Sequence, residues 1–225
     1  MARGFKRRGR GRSVAYAASL DVFERHLVSG LLRQVAALLD PDERISRESR
    51  SSAGDEFDGI VAGLGDLGRA DLPLSDLPVG DVGAEAPDRR ERPAYDADDP
   101  ALQRLLPSGN RADEEAAAEF RRLTEASLRE RKVRGLRGSA QLLDNVPEAD
   151  DAVSLPPDGA LTFLVALTDV RLVLASRLGL ETDDDAERLH RVAAEAGPDD
   201  ATAQAAAIYD FLTWLQETLA GCLRP

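Results

Sequence analysis

Asp169 is the residue that most clearly requires a partner, because its carboxylate lies in the middle of a strongly apolar run over residues 155–180. A buried carboxylate is costly unless a cation or several hydrogen-bond donors accompany it. Arg171 is only two residues away, so it does not share a helix face with Asp169. We therefore predict Arg121 or Arg122, on a second long helix, as the partner. Because no second catalytic group accompanies the carboxylate, we interpret it as part of a structural ion pair that sets helix register.

The single cysteine and the two histidines offer little redox or metal chemistry. Cys222 alone excludes an intramolecular disulfide and any multi-thiolate metal site within one chain. It lies on a packing stripe near a predicted helix C-terminus, where the helix dipole disfavours a thiolate, so we predict a buried and inert thiol. A redox role for it would require an intermolecular disulfide. His26 is predicted at the edge of a packed face and His190 on the surface, and we predict no metal ion and no cofactor.

Two further patterns could bind phosphate. The glycines of 63–68, GLGDLG, match a dinucleotide-binding pattern, but Pro73 ends any following helix early and no βαβ unit surrounds them. The start of the chain is strongly basic and lacks a recognition helix; its cations are Arg3, Lys6, Arg7, Arg8, Arg10 and Arg12. We interpret it as a solvated strand, since runs of charged residues usually lie on the solvent-exposed surface. Phosphate binding and contact with an acidic segment of the same chain are the alternatives.

Charge and hydropathy bound the class of protein. The net charge of −12 argues against general nucleic-acid binding. Asp169 and Arg171 would each cost about 3 kcal/mol at a bilayer centre, so the apolar run is predicted to be a core helix rather than a membrane span. No secretory signal pattern is present, which predicts a cytoplasmic protein. No nucleophile elbow, phosphate loop or metal-ligand spacing occurs elsewhere, so the chain is not predicted to be an enzyme.

The elements that must position these residues form one globular domain with an insertion. Residues 1–39 carry a net +6 and are predicted to form a β-hairpin and the first core helix. Residues 40–97 are rich in Ser, Gly, Asp and Pro and are predicted to be an acidic, mostly disordered insertion. Residues 98–225 are predicted to form the helical core. The expected fold class is mainly α, a helical bundle around a buried central helix with a small N-terminal hairpin or three-stranded sheet.

Within the core, hydrophobic periodicity and capping signals predict the individual elements. They are a short helix over 101–106, a long helix capped by Asp113 and reaching 137, a short strand over 152–155, the central helix over 157–178 with Gly179 just past its end, an acidic connector helix over 183–192, and a last helix over 199–223. In the central helix Phe163, Leu167, Val170 and Leu174 cover one side, and Leu161, Val165 and Leu172 cover another. Such a helix is expected to be buried around most of its circumference.

Several motifs in combination resemble a known family. They are GFKR at 4–7, LLPS at 105–108, AAAEFRRLTE at 116–125, LTDVRL at 167–172, RLG at 177–179 and YDFLTWLQE at 209–217. Together they resemble the actinobacterial AosR family of oxidative stress regulators, over both ends of the chain but not over 40–97. The resemblance implies a cytoplasmic, non-enzymatic regulator that acts on transcription through a protein partner such as a sigma factor.

The family's redox switch is not carried over with the resemblance. The family responds to oxidation through a thiol pair, whereas this chain has no C-x-x-x-C and no second cysteine. We therefore expect a regulator that lacks the intramolecular disulfide, with Cys222 the only possible redox residue. An adaptor or scaffold linked to regulated proteolysis and a small-molecule-binding helical module are the alternative functions.

Overall fold

The computed structural model describes residues 2–10, 13–40, 99–107, 114–195 and 200–224, with side chains in the long helix described from Thr124 onward. In chain order its elements are β1 Arg3–Arg8, β2 Ala15–Ser19, α1 Val22–Leu39, α2 Pro100–Leu105, α3 Glu114–Asp144, β3 Ala152–Leu155, α4 Pro157–Arg177, α5 Asp183–Glu195 and α6 Ala201–Leu223. The predicted fold class is confirmed: the protein is mostly helical, with a small three-stranded antiparallel sheet. The predicted insertion at 40–97, with the glycine motif, lies outside the described residues except for Asp40.

Helix α1 begins with a complete capping box. The Asp21 carboxylate accepts from the Glu24 amide, and Glu24 accepts from the Asp21 amide, each at 2.9 Å. Phe23 and His26 of this helix are exposed, while Arg25 is buried. The prediction of His26 at a packed edge is therefore wrong.

The sheet has the order β1-β2-β3, so β1 is an edge strand. Its outer edge is covered by α6: the Phe5 amide donates to Thr218 Oγ1 at 3.1 Å, and the Cys222 thiol donates to the Phe5 carbonyl at 3.1 Å. Gly4 permits this approach, since a Cβ there would lie 2.5 Å from Thr218 Cγ2. The first strand and the last helix are thus fixed to each other.

Helix α3 runs seven residues further than predicted and packs along α1. The added stretch includes Gly138 and Ser139, which are weak helix formers, but Ser139 and Leu143 are buried, so tertiary packing holds the helix there. Arg129 of α3 donates to the Leu39 carbonyl at 2.9 Å, and Arg137 pairs with Asp40 at 2.7 Å. These contacts fix the end of α1 against α3.

Helix α4 is the centre of the bundle and packs against α1, α2, α3 and α6. Pro157 occupies its first turn, and Gly179 with φ of +66° follows its end, both as predicted. Within the described residues α4 is the one helix long and apolar enough to cross a membrane, with a mean hydropathy of 1.6. The core helix of a soluble protein passes the same test, and the packing of α4 is compatible with a soluble protein.

Candidate functional site

The partner of Asp169 is Lys132 of α3, whose Nζ lies 2.5 Å from the carboxylate Oδ1. Asp169 is only 3% exposed, and the Lys132 side chain is 16% exposed. This corrects the predicted pairing with Arg121 or Arg122, whose side chains lie outside the described part of α3. Lys132 follows them by eleven and ten residues, about 15–17 Å along the helix axis at 1.5 Å per residue. The pair is a link between α3 and α4.

The carboxyl of Asp169 is under two opposing influences. Burial raises its pKa above the usual value, because the charged form loses hydration, and this is the larger effect. The hydrogen bond from Lys132 and the positive charge of its ammonium group act in the opposite direction. The ion pair therefore only partly offsets the cost of burying the acid.

On the other side of α4 a polar cluster joins it to α6; we call Thr168, Arg171, Tyr209 and Gln216 the Arg171 cluster. Arg171 Nη1 donates to Gln216 Oε1 at 2.7 Å, and Gln216 Nε2 donates to Thr168 Oγ1 at 3.0 Å. The Arg171 Cζ atom lies 5.2 Å from the centroid of the Tyr209 ring. Two motifs of the family resemblance, 167–172 and 209–217, therefore meet here.

Arg171 is held by neutral groups. Among the described residues it has no carboxylate partner, and its Nε is buried without a hydrogen-bond acceptor. A half-buried guanidinium fixed by an amide and an aromatic ring is well suited to recognise a carboxylate presented by a partner.

Between the Lys132–Asp169 pair and the Arg171 cluster, α4 exposes an apolar strip, which we call the α4 face. It comprises Leu161, Val165 and Leu172, at the spacing of one helical face. Leu161 is 54% exposed and Val165 is 56% exposed. The expectation that α4 is buried around most of its circumference is therefore wrong for its first half, whereas every residue from Ala166 to Arg177 is buried or half-buried. The side with Phe163 is in the core, and the side with Leu161 faces solvent for half its length.

The other residues singled out from the sequence lie apart from this site. Cys222 is half-buried rather than fully buried, and its thiol is engaged with β1. Its inertness remains a prediction. His190 is exposed, as predicted, and joins α5 to α6 through Asp210. No group of three or more His, Cys, Asp or Glu side chains in the described ranges is arranged to hold a metal ion.

The His190–Asp210 contact should be visible in solution as a shifted titration. His190 Nε2 lies 2.9 Å from Asp210 Oδ1, and this hydrogen bond is the main cause that raises the pKa of the imidazole above its usual value. We expect NMR titration of the ring protons to give a pKa above about 6.5. The contact stabilises α5 on α6 below the unfolded-state pKa, and this contribution is lost as pH rises through the folded-state pKa.

Asp210→Asn is the matched control for that titration. It keeps the shape of the side chain but removes its charge, so the pKa of His190 should fall toward the ordinary value. An unchanged pKa in this variant would contradict the assignment of Asp210 as the cause.

Lys132, Tyr209 and Gln216 are the site residues that sequence reasoning missed. A helix that ended at residue 137 would place Lys132 near its C-terminus, where a cation only complements the helix dipole. Because α3 continues to Asp144, Lys132 instead lies within the helix, beside the central bundle. Tyr209 and Gln216 are seven residues apart and so lie on one face of α6, a signal that was available in the sequence.

These features define a helical bundle with a small sheet, whose central helix presents an apolar face flanked by polar seams. The chain belongs to the DUF2017 family, described as a domain of unknown function, whose profile matches residues 2–223. No curated protein and no solved structure matches the chain.

Proposed function

We propose that this chain is a non-enzymatic, cytoplasmic regulatory protein that acts by binding a protein partner through the α4 face. The observation that carries the proposal is the exposure of Leu161 and Val165 on the helix around which the bundle is built. Isolated exposed apolar residues are common, but these two are one turn apart and continue into the half-buried Leu172. A partner that covered them would gain about 1 kcal/mol from each side chain.

The surroundings of the face have the composition of an interface. Protein interfaces combine an apolar centre with a polar rim, and their energetically dominant residues are often Tyr and Arg. Arg171 and Tyr209 lie at the seam beside the α4 face, and Arg171 has no carboxylate partner among the described residues. We therefore expect the partner to place apolar side chains on Leu161 and Val165 and a carboxylate near Arg171.

The biological context proposed here rests on sequence resemblance. The AosR-like motifs favour control of oxidative-stress transcription, with a sigma factor as a suitable partner. A single cysteine excludes the intramolecular disulfide switch of that family. The proposed binding of the partner therefore does not depend on oxidation within one chain. An adaptor in regulated proteolysis would use the same surface with a different partner.

A small-molecule-binding module is the second candidate, favoured by an open crevice between α1 and α4. The crevice has a volume of about 170 Å³ and is lined mostly by apolar groups, among them Leu31, Val35 and Val173, with Arg177 at its edge. Arg177 is already paired with Asp99 at 2.6 Å. The crevice could therefore hold a small apolar ligand, but the charge of Arg177 is already engaged by Asp99.

The proposal is tested by capture from the native host with three forms of the tagged protein: wild type, Val165→Asp and Val192→Asp. Val192 is an exposed apolar residue on α5 and serves as the matched control. We expect wild type and Val192→Asp to retain the same partner and Val165→Asp to lose it at least tenfold, with all three equally folded by circular dichroism. Mass spectrometry then distinguishes polymerase-associated from protease-associated partners.

Retention of the partner by Val165→Asp would contradict the α4 face as the binding surface. A ligand-induced thermal shift in the absence of any protein partner would favour the small-molecule module instead.

A further inference from the structure

The first strand and its turn carry the densest positive charge in the described part of the chain. Arg3, Lys6, Arg7, Arg8 and Arg10 are all exposed, and no acidic residue occurs between 2 and 10. Within the described residues none of the five has an ion pair or a side-chain hydrogen bond. We call them the hairpin cations. A net charge of −12 for the whole chain means that the residues outside this segment carry −17.

These cations are displayed on a rigid support. Phe5 is 3% exposed, and its ring packs edge-on against that of Phe163 in α4, with centroids 5.9 Å apart. The Phe5 backbone is held at its outer edge by Thr218 and Cys222. The turn beyond β1 uses Gly9 at φ of +75°, a conformation that glycine adopts readily. Because the strand is held in place, ordering it on binding costs little conformational entropy.

Because α6 covers the outer edge of β1, a partner is restricted in how it can bind this strand. A peptide that adds a strand to a sheet needs free backbone amides and carbonyls at the edge strand. At Phe5 both groups are already bonded to α6. Recognition at this position must therefore come from the side chains of the strand, and those side chains are cations.

We propose that the hairpin cations form a binding surface for a short, extended acidic segment of a protein. Alternate residues of a strand lie about 6.8 Å apart on the same face, and an extended acidic segment repeats at the same distance. Lys6 and Arg8 are alternate residues of this kind, with exposed side chains. Arginine also binds carboxylates in a bidentate manner. This surface does not depend on the α4 face.

The charge distribution favours a short acidic segment over a nucleic acid. A duplex carries about one charge per 1.7 Å and extends beyond a six-residue strand, so it would meet the acidic remainder of the protein. A segment of five or six residues spans about 20 Å and can remain on the hairpin. The segment from residue 2 to residue 10 also presents no exposed aromatic ring on which bases could stack, since Phe5 is buried.

The test is fluorescence anisotropy of the full chain with a labelled octaglutamate peptide at 50 and 150 mM NaCl. We expect saturable binding that weakens several-fold at the higher salt. Lys6→Glu combined with Arg8→Glu should weaken it at least tenfold. Arg191→Glu is the matched control, because Arg191 is exposed on α5 and has no ion pair among the described residues; it should leave the affinity unchanged.

Three results would overturn the proposal. They are the absence of peptide binding, equal loss of affinity in the hairpin variant and the Arg191 variant, and tighter binding of a labelled 20-base-pair duplex or a 20-nucleotide RNA than of the peptide at 150 mM NaCl. The last result would assign the hairpin to nucleic acid instead. Thermal unfolding of each variant checks that the loss does not come from unfolding.

Discussion

Replacing Lys132 by methionine should lower the free energy of unfolding by about 3 kcal/mol, because it leaves the carboxylate of Asp169 buried without its cation. Asp169→Ala should be similarly destabilising, since it removes the partner of an 84%-buried ammonium side chain. The double variant Lys132→Met/Asp169→Leu should be less destabilised than the sum of the single changes, because two apolar groups can pack where the pair was. Urea unfolding at pH 7 measures all of these values.

The destabilisation by Lys132→Met should depend on pH. Burial already raises the pKa of Asp169 in the folded state, and removal of the lysine raises it further. A group with a raised folded-state pKa contributes most to stability below its unfolded-state pKa, near 3.9, and loses that contribution as pH rises through the folded-state pKa. The difference between wild type and variant should therefore be small near pH 4 and complete at pH 7.

Arg131→Met provides the control, since Arg131 neighbours Lys132 in α3 and is exposed. It should change stability by less than about 0.5 kcal/mol. A cycle between Asp169 and Arg121 or Arg122 should show no coupling. Strong coupling to either arginine, or a loss in Lys132→Met that is equal at pH 4 and pH 7, would contradict the assignment of Lys132.

Replacing Arg25 by methionine is expected to cost about 3 kcal/mol. Arg25 is 2% exposed, and its guanidinium donates to three backbone carbonyls, those of Leu20, Pro147 and Asp150. Two of these carbonyls lie in the connection between α3 and β3, more than 120 residues away in sequence. Methionine fills similar volume but leaves the three acceptors without their donor, and the connection should become susceptible to proteolysis.

Arg33→Met is the matched control for this change. Arg33 lies on the same helix and pairs with Asp144, but its side chain is 48% exposed. Surface pairs of this kind contribute about 0–1 kcal/mol. Equal losses in Arg25→Met and Arg33→Met would show that the buried carbonyl network has no special role.

Local signals were sufficient for most of the element boundaries. Pro157 and Gly179 mark the two ends of α4 because each suits a backbone conformation that the helix terminus requires. Asp200 caps α6 by accepting from the amides of Thr202 and Ala203. Strand β3 was predicted at its observed boundaries. The helix ends depend on contacts between residues close in sequence, whereas β3 is completed by pairing with the distant strand β2.

Properties that depend on distant contacts were harder to predict. The burial of Arg25 in α1 is one example, because its charge suggests exposure and its carbonyl partners at Pro147 and Asp150 are reached only in the folded chain. The orientation of α4 depends on distant contacts in the same way. Its pattern is apolar on two sides, and the elements packed around it, among them β1 through Phe5, decide that Phe163 is buried and Val165 exposed.

In the candidate site, too, some features follow from local sequence and others from distant contacts. The need of Asp169 for a cation follows from local chemistry, whereas the identity of that cation follows from the relative position of two helices. Spacing on α6 indicated that Tyr209 and Gln216 share a face, but not that Arg171 lies against them.

The attachment of β1 to α6 also has a consequence for the order in which the protein folds. Phe5 is bonded to residues that follow it by 213 and 217 positions. At a translation rate of roughly 5–20 residues per second, about 10–40 s pass between the synthesis of Phe5 and that of Thr218. During this interval the outer edge of β1 has neither of these bonds. A nascent chain therefore presents an open, arginine-rich strand to the ribosome and its chaperones until the last helix emerges to cover it.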